Sequence, residues 1–526
     1  MKILVSDHLA ESGVEKLMAV ADFEVEVNTS LTEEEFRQII KEYDALVIRS
    51  ATKVTEDIIE AADRLKVIAR AGIGLDNVDV AAASKRGIVV MNTPEGNVIT
   101  TAEHTIAMLL SLSRNIPQAT ASIKAGKWEK KRFRGKEVFN KTLGIIGVGR
   151  IGRVVADRAK GLKMNVIAYD PYINMDLIEK LGIDAVSLDE LYARADYITV
   201  HTPSTQETRN LINAAAFQKM RRGVFIINCA RGGIVDEAAL AEAIRAGMVA
   251  GAALDVFVKE PPVDNPLLQL DNVIVTPHLG ASTDEAQENV ALAVADQVIE
   301  YLLTGTIRNA VNAPMIDGEV LANLRPYLIL AERLGNVLTQ VTRGAIQEIA
   351  IDYIGDVSAL DMRPLTISIL KGVLTPILSD EVNFVNAPII AKERDIRVKE
   401  SVRTEAEDFT NLIVVTMHTK EERNVVAGTI FGKKDPRLVR INDFRLEAAM
   451  EGHLLLIYNI DTPGTIGAIG TCLGRHHINI SMMDVGQVLE RGQNIILLRT
   501  DTPVPQHVID ELLAMENVNV VQKIEL

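Results

Sequence analysis

The sequence predicts an α/β protein. A Rossmann-type dinucleotide-binding domain is inserted in a flavodoxin-like α/β domain, and an α+β domain and a C-terminal ferredoxin-like domain follow. Three observations carry this expectation. An apolar stretch runs into the glycines Gly147, Gly149 and Gly152 and then into an amphipathic helical pattern. Strand and helix patterns alternate on both sides of that fingerprint. Residues 452–526 read in the order βαββαβ.

The fingerprint begins well into the chain, so something folds before it. Strand patterns at 2–6, 45–49, 67–70 and 88–91 alternate with helical ones at 11–20, 32–42 and 55–62, the mark of a parallel sheet. A long helix over 100–113 leads into the fingerprint. Alternation then continues through strands at 197–200, 224–228, 251–256 and 273–276. A second long helix, 282–304, carries Ala286, Val290, Val294 and Val298 on one face and is expected to cross back, which makes the first domain discontinuous, 1–98 with 282–309, around a nucleotide domain at 99–281. Residues 310–447 show two helical segments and several strands without a glycine fingerprint. The last domain is expected at 448–526.

Each part of the fingerprint has a physical task. Gly147 permits a tight turn, Gly149 lets backbone N–H groups approach a pyrophosphate, and Gly152 lets the helix pack closely, its positive end towards the phosphates. Asp170, closing the next strand, would hold the ribose hydroxyls. A carboxylate there repels a 2′-phosphate, and Pro171 follows where an arginine would be needed, so NAD is favoured over NADP.

The net charge of −15 argues against a nucleic-acid partner. No apolar run reaches the roughly 18 residues of a membrane span, and residues 1–7 read as a strand, not a signal peptide. Cys229 and Cys472 lie far apart, offering neither a disulfide framework nor metal-ligand spacing. No metal is expected, and a cytoplasmic location is.

Side chains able to do chemistry follow the nucleotide-domain strands, where such sheets bind ligands. Arg231 follows 226–230, Asp255 ends 252–254, Glu260 precedes Pro261, and His278 follows 273–277. Together they suggest oxidation of a 2-hydroxy acid. His278 can take the hydroxyl proton, since an imidazole titrates at about 6.5. Glu260 would orient the ring and stabilise the imidazolium. Arg231 can grip a carboxylate bidentately.

The stretches Asn228 to Glu237, Ala253 to Phe257, Glu260-Pro-Pro and Pro277 to Ser282 resemble motifs of the D-isomer-specific 2-hydroxyacid dehydrogenases. More closely, the stretches Arg49 to Val54, Arg70 to Asp79, Asn92 to Pro94 and Gly126 to Trp128 resemble the branch of that family acting on 3-phospho-D-glycerate. The resemblance covers the whole chain and implies an allosteric substrate-binding domain at 310–447 and an ACT domain at 448–526. It implies catalysis by Arg231, Glu260 and His278. NAD contacts would come from Gly147, Gly149, Arg150, Ile151, Gly152, Asp170, Thr202, Cys229, Ala230, Arg231, Asp255, His278, Gly280 and Ala281. Ile73 departs from the pattern, because some relatives carry a hydroxyl side chain there.

Arg49 and Arg70 close two first-domain strands and would face the nucleotide domain across a cleft, where a phosphate could lie between them. Ser50 and Gly72 belong to the same substrate-binding set, with Arg231 and His278. The basic segment 127–134, with Lys130, Arg132 and Arg134, reads as a solvated loop. By resemblance it lies at a dimer contact and can lend a cation to the neighbouring site. The implied reaction is NAD-dependent oxidation of 3-phospho-D-glycerate to 3-phosphohydroxypyruvate, which opens serine synthesis. The rivals are a glyoxylate or hydroxypyruvate reductase and an NAD(H)-sensing corepressor. In the last domain, an edge strand beginning at His453 is expected to pair with a second copy. Asn459, Asp461 and Asn479 would then mark a site for L-serine as effector, in a homodimer or homotetramer.

Overall fold

The computed structural model describes residues 1–526 except 174, 315–317, 379–381, 406–408, 433 and 489–491. Its first sheet holds β1 (Lys2–Val5), β2 (Glu24–Val27), β3 (Ala45–Ile48), β4 (Val67–Arg70) and β5 (Val89–Asn92), all parallel in the order β2-β1-β3-β4-β5. This is the flavodoxin order. Only β2 escaped the sequence reading, because Glu24-Val-Glu-Val27 lies at the sheet edge with none of its residues buried. The helix Asp284–Thr304 returns to this sheet as expected. Its Val290, Val294 and Val298 join Ile3, Val5, Val47 and Val67 in one core.

The second sheet holds β6 (Thr142–Ile146), β7 (Asn165–Tyr169), β8 (Asp184–Ala185), β9 (Tyr197–Val200), β10 (Val224–Asn228), β11 (Val249–Leu254) and β12 (Val273–Val275), in the order β12-β11-β10-β9-β6-β7-β8. All its pairings are parallel. The order reverses beside β6, and a crevice opens there at the carboxyl ends of the strands. The helix Val98–Arg114 links the two sheets and packs Met108, Leu109 and Leu112 into the second core.

The third sheet holds β13 (Ile346–Gly355), β14 (Arg397–Arg403), β15 (Asn411–Thr419), β16 (Arg423–Phe431), β17 (Asp435–Ile441) and β18 (Phe444–Ala449), in the order β14-β13-β15-β16-β17-β18. Only the β13 pairing with β14 is parallel. The helices Gly318–Val341 and Met362–Leu378 cover one face. Asn442, with φ 51°, turns the chain between β17 and β18, and β18 runs past the expected boundary at 447, to Ala449.

The last domain has the expected βαββαβ order: β19 (His453–Ile460), β20 (Ile480–Val488), β21 (Gln493–Thr500) and β22 (Val518–Glu525), with the helices Thr465–Arg475 and Gln506–Leu513. Its sheet order is β20-β21-β19-β22. β19 is therefore internal, not an edge strand, and the pairing expected from His453 onward is already satisfied by β21 and β22. Side-chain alternation sends Leu455 and Ile457 to the helices. Leu454 and Leu456, with Ile495, Leu497 and Ile524, go to the core of the third domain. Among the described residues no helix is long and apolar enough to cross a membrane.

Gly13 sets how closely the helix Glu11–Met18 lies on Asp284–Thr304, since a Cβ there would stand 2.7 Å from the Ala291 carbonyl oxygen. We predict that Gly13→Val costs about 1–3 kcal/mol by overpacking, measured by denaturant unfolding. An unchanged midpoint would show that this contact yields freely.

Candidate active site

The turn after β6 is built as the fingerprint requires. Gly147 takes φ 94°. A Cβ on Gly152 would sit 2.2 Å from the Gly147 carbonyl oxygen, so only glycine lets the helix Arg150–Gly161 begin against this turn. At Gly149, which precedes the helix, a Cβ would meet nothing within 4 Å. The Asp170 carboxylate accepts from Val148 N at 2.8 Å and from Tyr172 N at 3.0 Å, which ties the end of β7 to the glycine turn. Arg150, exposed, reaches Glu95 of the first domain's trailing loop at 3.4 Å, and Ile151 is half-buried beside it. Thr202, beyond β9, keeps its hydroxyl buried without a protein partner. This open turn, helix N-terminus and carboxylate suit a dinucleotide diphosphate and its ribose.

Next to it, Asp255 organises the loop that carries the histidine. Its side chain is fully buried. Burial alone would raise its pKa, but donors from His104, Thr276 and Leu279 outweigh that and hold it below the usual carboxylate range. Oδ1 accepts from Thr276 Oγ1 at 2.6 Å and Leu279 N at 2.7 Å, and Oδ2 from Gly280 N at 2.8 Å. His104 Nε2 stands 3.2 Å from Oδ1. Thr101 donates to the Gly280 carbonyl at 2.8 Å, and Ala281 follows half-buried. Thus the helix Val98–Arg114 and Asp255 together pin residues 276–280. Sequence reasoning named Asp255 but missed Thr101 and His104, whose helical spacing resembles any packed helix.

His278 stands on this loop with φ 56°, exposed towards the cleft. Its Nδ1 is 2.8 Å from Glu260 Oε2, while Glu260 Oε1 accepts from Phe257 N at 3.0 Å. The pair expected from sequence is therefore in contact, and Nε2 is left for a substrate. Gly232 explains how Arg231 joins them: a Cβ there would lie 1.9 Å from the Phe257 carbonyl oxygen, so the Arg231 turn rests on the backbone that holds Glu260. Asn228 fixes that turn, accepting from Ala230 N at 3.0 Å and donating to the Arg231 carbonyl at 2.9 Å. Cys229 is buried, and burial pushes its thiol up to about 12. It packs; it is not a nucleophile.

Across the cleft the first domain supplies charge. Arg231 Nε donates to Asp76 Oδ2 at 3.0 Å. Arg70, at the end of β4, is lowered to about 10, first by burial and then by the Arg231 charge, with Arg49 adding to it; Asp76 and Asp7 oppose the shift. Arg70 Nε is buried without a partner. Arg49 donates from Nη1 to the His8 carbonyl at 3.2 Å. Its backbone is set by Asp7, which accepts from Arg49 N at 2.5 Å, and by Asn77, which donates to the Arg49 carbonyl at 2.7 Å. Ser50 is exposed beside it, and Gly72, at φ 154°, lets the backbone bend around the Arg70 guanidinium. Asp7, Asp76 and Asn77 were not anticipated, since nothing in their spacing marks them.

Two other expectations fare differently. In the basic segment, Arg132 is pinned to Asp271 of its own domain at 3.2 Å, whereas Lys130 and Arg134 are exposed. The effector residues are not all neighbours. Asn459 and Asp461 lie at one end of β19. Asn479 precedes β20, whose Ile480 pairs with Thr500, itself opposite His453 at the other end of β19. One chain therefore cannot bring Asn479 to Asn459, because the helix between them spans the length of the sheet.

Comparison with known proteins agrees with this geometry. The D-isomer specific 2-hydroxyacid dehydrogenase NAD binding domain matches residues 106–280, the D-3-phosphoglycerate dehydrogenase intervening domain matches 323–442, and the ACT domain matches 453–517. The chain is 46% identical to the D-3-phosphoglycerate dehydrogenase of Methanocaldococcus jannaschii, covering 100% of both chains. It is 41% identical to that of Bacillus subtilis, covering 100% of this chain and 99% of the relative. Among solved structures, a D-lactate dehydrogenase from Aquifex aeolicus complexed with NAD and lactic acid aligns with TM-score 0.53 and 29% identity, over 60% of this chain and 100% of that one. The TT0316 protein of Thermus thermophilus aligns with TM-score 0.55 and 34% identity, over 59% and 100%. The chain belongs to the D-3-phosphoglycerate dehydrogenase family, within the NAD-dependent D-isomer-specific 2-hydroxyacid dehydrogenases.

Proposed function

We propose that this enzyme oxidises 3-phospho-D-glycerate to 3-phosphohydroxypyruvate, the first step towards L-serine. The observation that carries this reading is that Arg49 and Arg70 of the first domain meet Arg231 across the cleft, on the wall that also carries the His278–Glu260 pair. Three guanidiniums, one of them buried with an unpartnered Nε, suit a substrate with both a carboxylate and a phosphate. Arg231 binds the carboxylate in place of Asp76. Arg49 and Arg70 take the phosphate. His278 Nε2 accepts the C2 hydroxyl proton as the carbonyl forms, and Glu260 stabilises the resulting imidazolium through Nδ1. NAD, held at the glycine turn and by Asp170, would supply the hydride acceptor for C2. Thr202, Cys229, Ala230, Gly280 and Ala281, at the strand ends around the crevice, complete the proposed cofactor contacts.

The same proposal includes a homo-oligomer. The helix Ile116–Lys124 and its following loop leave Ile116, Ile123, Trp128 and Phe139 exposed, with Trp128 at 84%. An aromatic and aliphatic surface of this kind, edged by Lys130 and Arg134, suits a second copy of the chain. A cytoplasmic location accords with the two free, buried thiols. L-serine is proposed as effector at Asn459, whose Oδ1 is buried without a partner, as is that of its cross-strand neighbour Asn494. Asp461 stands beside it, and the contribution of Asn479 requires a second copy.

Four outcomes are expected. His278→Ala should lower kcat by about 10²-fold or more with NAD affinity retained, because loss of the base acts at the transition state; near-normal turnover would remove His278 from the mechanism. Glu260→Gln should also slow turnover, to a smaller degree. Arg49→Ala or Arg70→Ala should weaken the phosphorylated substrate by about 1.5–3 kcal/mol and an unphosphorylated analogue by less, and equal losses in KM would refute phosphate reading. Millimolar L-serine should inhibit the full chain and lose effect in Asn459→Ala; calorimetry without serine binding would end the effector assignment and leave the dehydrogenase reading intact.

A further inference from the structure

Far from the cleft in sequence, the two helices of the C-terminal domain present a matched set of donors. Cys472 and His476 stand four residues apart at the end of the helix Thr465–Arg475 and on its cap. His507 and Glu511 stand four apart on the helix Gln506–Leu513. In each case this spacing puts both side chains on one helical face. The faces meet. The Cys472 sulfur, a His476 ring nitrogen and a Glu511 carboxylate oxygen all lie within 4.8 Å of one another. His476 Nε2 is 2.7 Å from Glu511 Oε2. The His507 ring stands edge-on to that of His476, with centroids 5.2 Å apart.

We propose that Cys472, His476 and Glu511 form a binding site for a divalent transition-metal ion of the zinc type, with its fourth position left to solvent, which clips the two helices together. The donor set decides the class. Thiolate, imidazole and carboxylate bind zinc tetrahedrally at about 2.0–2.3 Å, so the bound donors would lie roughly 3.5 Å apart, within small side-chain rotations of where they stand. Magnesium and calcium call for a shell of oxygens, and a single carboxylate beside sulfur and nitrogen does not supply one.

Two further observations suit the same ion. The Glu511 carboxylate is held by Arg475, whose Nη2 donates to Oε1 at 2.6 Å. Arg475 can therefore keep Oε1 and orient the group while Oε2 turns to the metal, as outer partners of metal-bound carboxylates do. Cys472 is fully buried under these side chains. On binding, the S–H bond breaks, the proton leaves to solvent and sulfur takes the metal, so a thiolate forms there only as it is coordinated.

The test uses the full chain, stripped with a chelator and titrated with Co²⁺ as a spectroscopic probe. One Co²⁺ per chain should bind, with thiolate-to-metal charge transfer and intense tetrahedral d–d bands, and Zn²⁺ should displace it. The charge-transfer band should vanish in Cys472→Ser and persist in Cys229→Ser, and His476→Gln should weaken Co²⁺ by about tenfold or more. Absence of a thiolate band in the native chain, or its survival in Cys472→Ser, would overturn the proposal. Should Cys472→Ser fail to fold, Glu511→Gln decides. Zn²⁺ should raise the thermal midpoint of the native domain and leave that of Glu511→Gln unmoved; equal shifts in both would refute the site.

Discussion

The buried carboxylate of Asp255 is the constraint on which the catalytic geometry rests. A charge without solvent access is costly unless donors surround it. Here Thr276, Leu279 and Gly280 supply them from one short loop, and His104 from a helix that enters from the other domain. The same bonds that keep Asp255 ionised hold residues 276–280 in a single conformation, including the positive φ of His278. A base that must meet a hydroxyl at hydrogen-bond distance gains its precision from this anchoring, since preorganisation depends on what locks the catalytic group. His278 itself is exposed, so the rigidity has to come from underneath.

A second constraint runs sideways. Gly232 rests on the Phe257 carbonyl, Phe257 N–H binds Glu260, and Glu260 binds His278. The Arg231 turn and the His278–Glu260 pair, proposed above to hold the carboxylate and to move the proton, are thereby parts of one backbone contact, although 47 positions of sequence separate Arg231 from His278. The opposing wall brings like charge close to like charge. Arg70 is lowered by burial and by Arg231, and only Asp76 and Asp7 relieve it. Such crowding costs stability and would be offset by a bound dianion, so under the proposed function phosphate recognition would rest on the relation between the two domains.

Legibility in the sequence followed how local each signal was. The glycine fingerprint, Asp170, Arg231, Glu260 and His278 could be placed because each stands at a strand end within a short motif, and the structure seats them there. The flavodoxin-like sheet was legible through its apolar strands, but β2 and β14 were not: Glu24-Val-Glu-Val27 is an edge strand without a buried face, and Arg397–Arg403 is exposed throughout. The internal position of β19 was misread because strand order depends on pairing between distant segments, which alternation within His453–Ile460 does not encode. His104, Asp76 and Asn77 were invisible for a related reason, since their partners lie in other domains or turns. The helix-face cluster around Cys472 was passed over because only the spacing between the two cysteines was considered, whereas its donors come from two separate helices.

The C-terminal domain is joined to the third domain. One face of its sheet shares a core with the third domain, and Gln340 of that domain exchanges hydrogen bonds with Glu525 on β22. The third domain in turn grips the first. Asn383 donates to the Gly87 carbonyl, and Val385 packs into the first domain's core. At the domain's near end, Asn312 bonds Ile88 and Val90 around β5. The two Val-Asn-Ala-Pro segments, 311–314 and 385–388, thus flank the same strand. A ligand or subunit contact that moved the C-terminal domain would act, through the third domain, on the body carrying Arg49 and Arg70. Under the proposed function, such a contact would bear on closure of the cleft, where the two sets of charge meet.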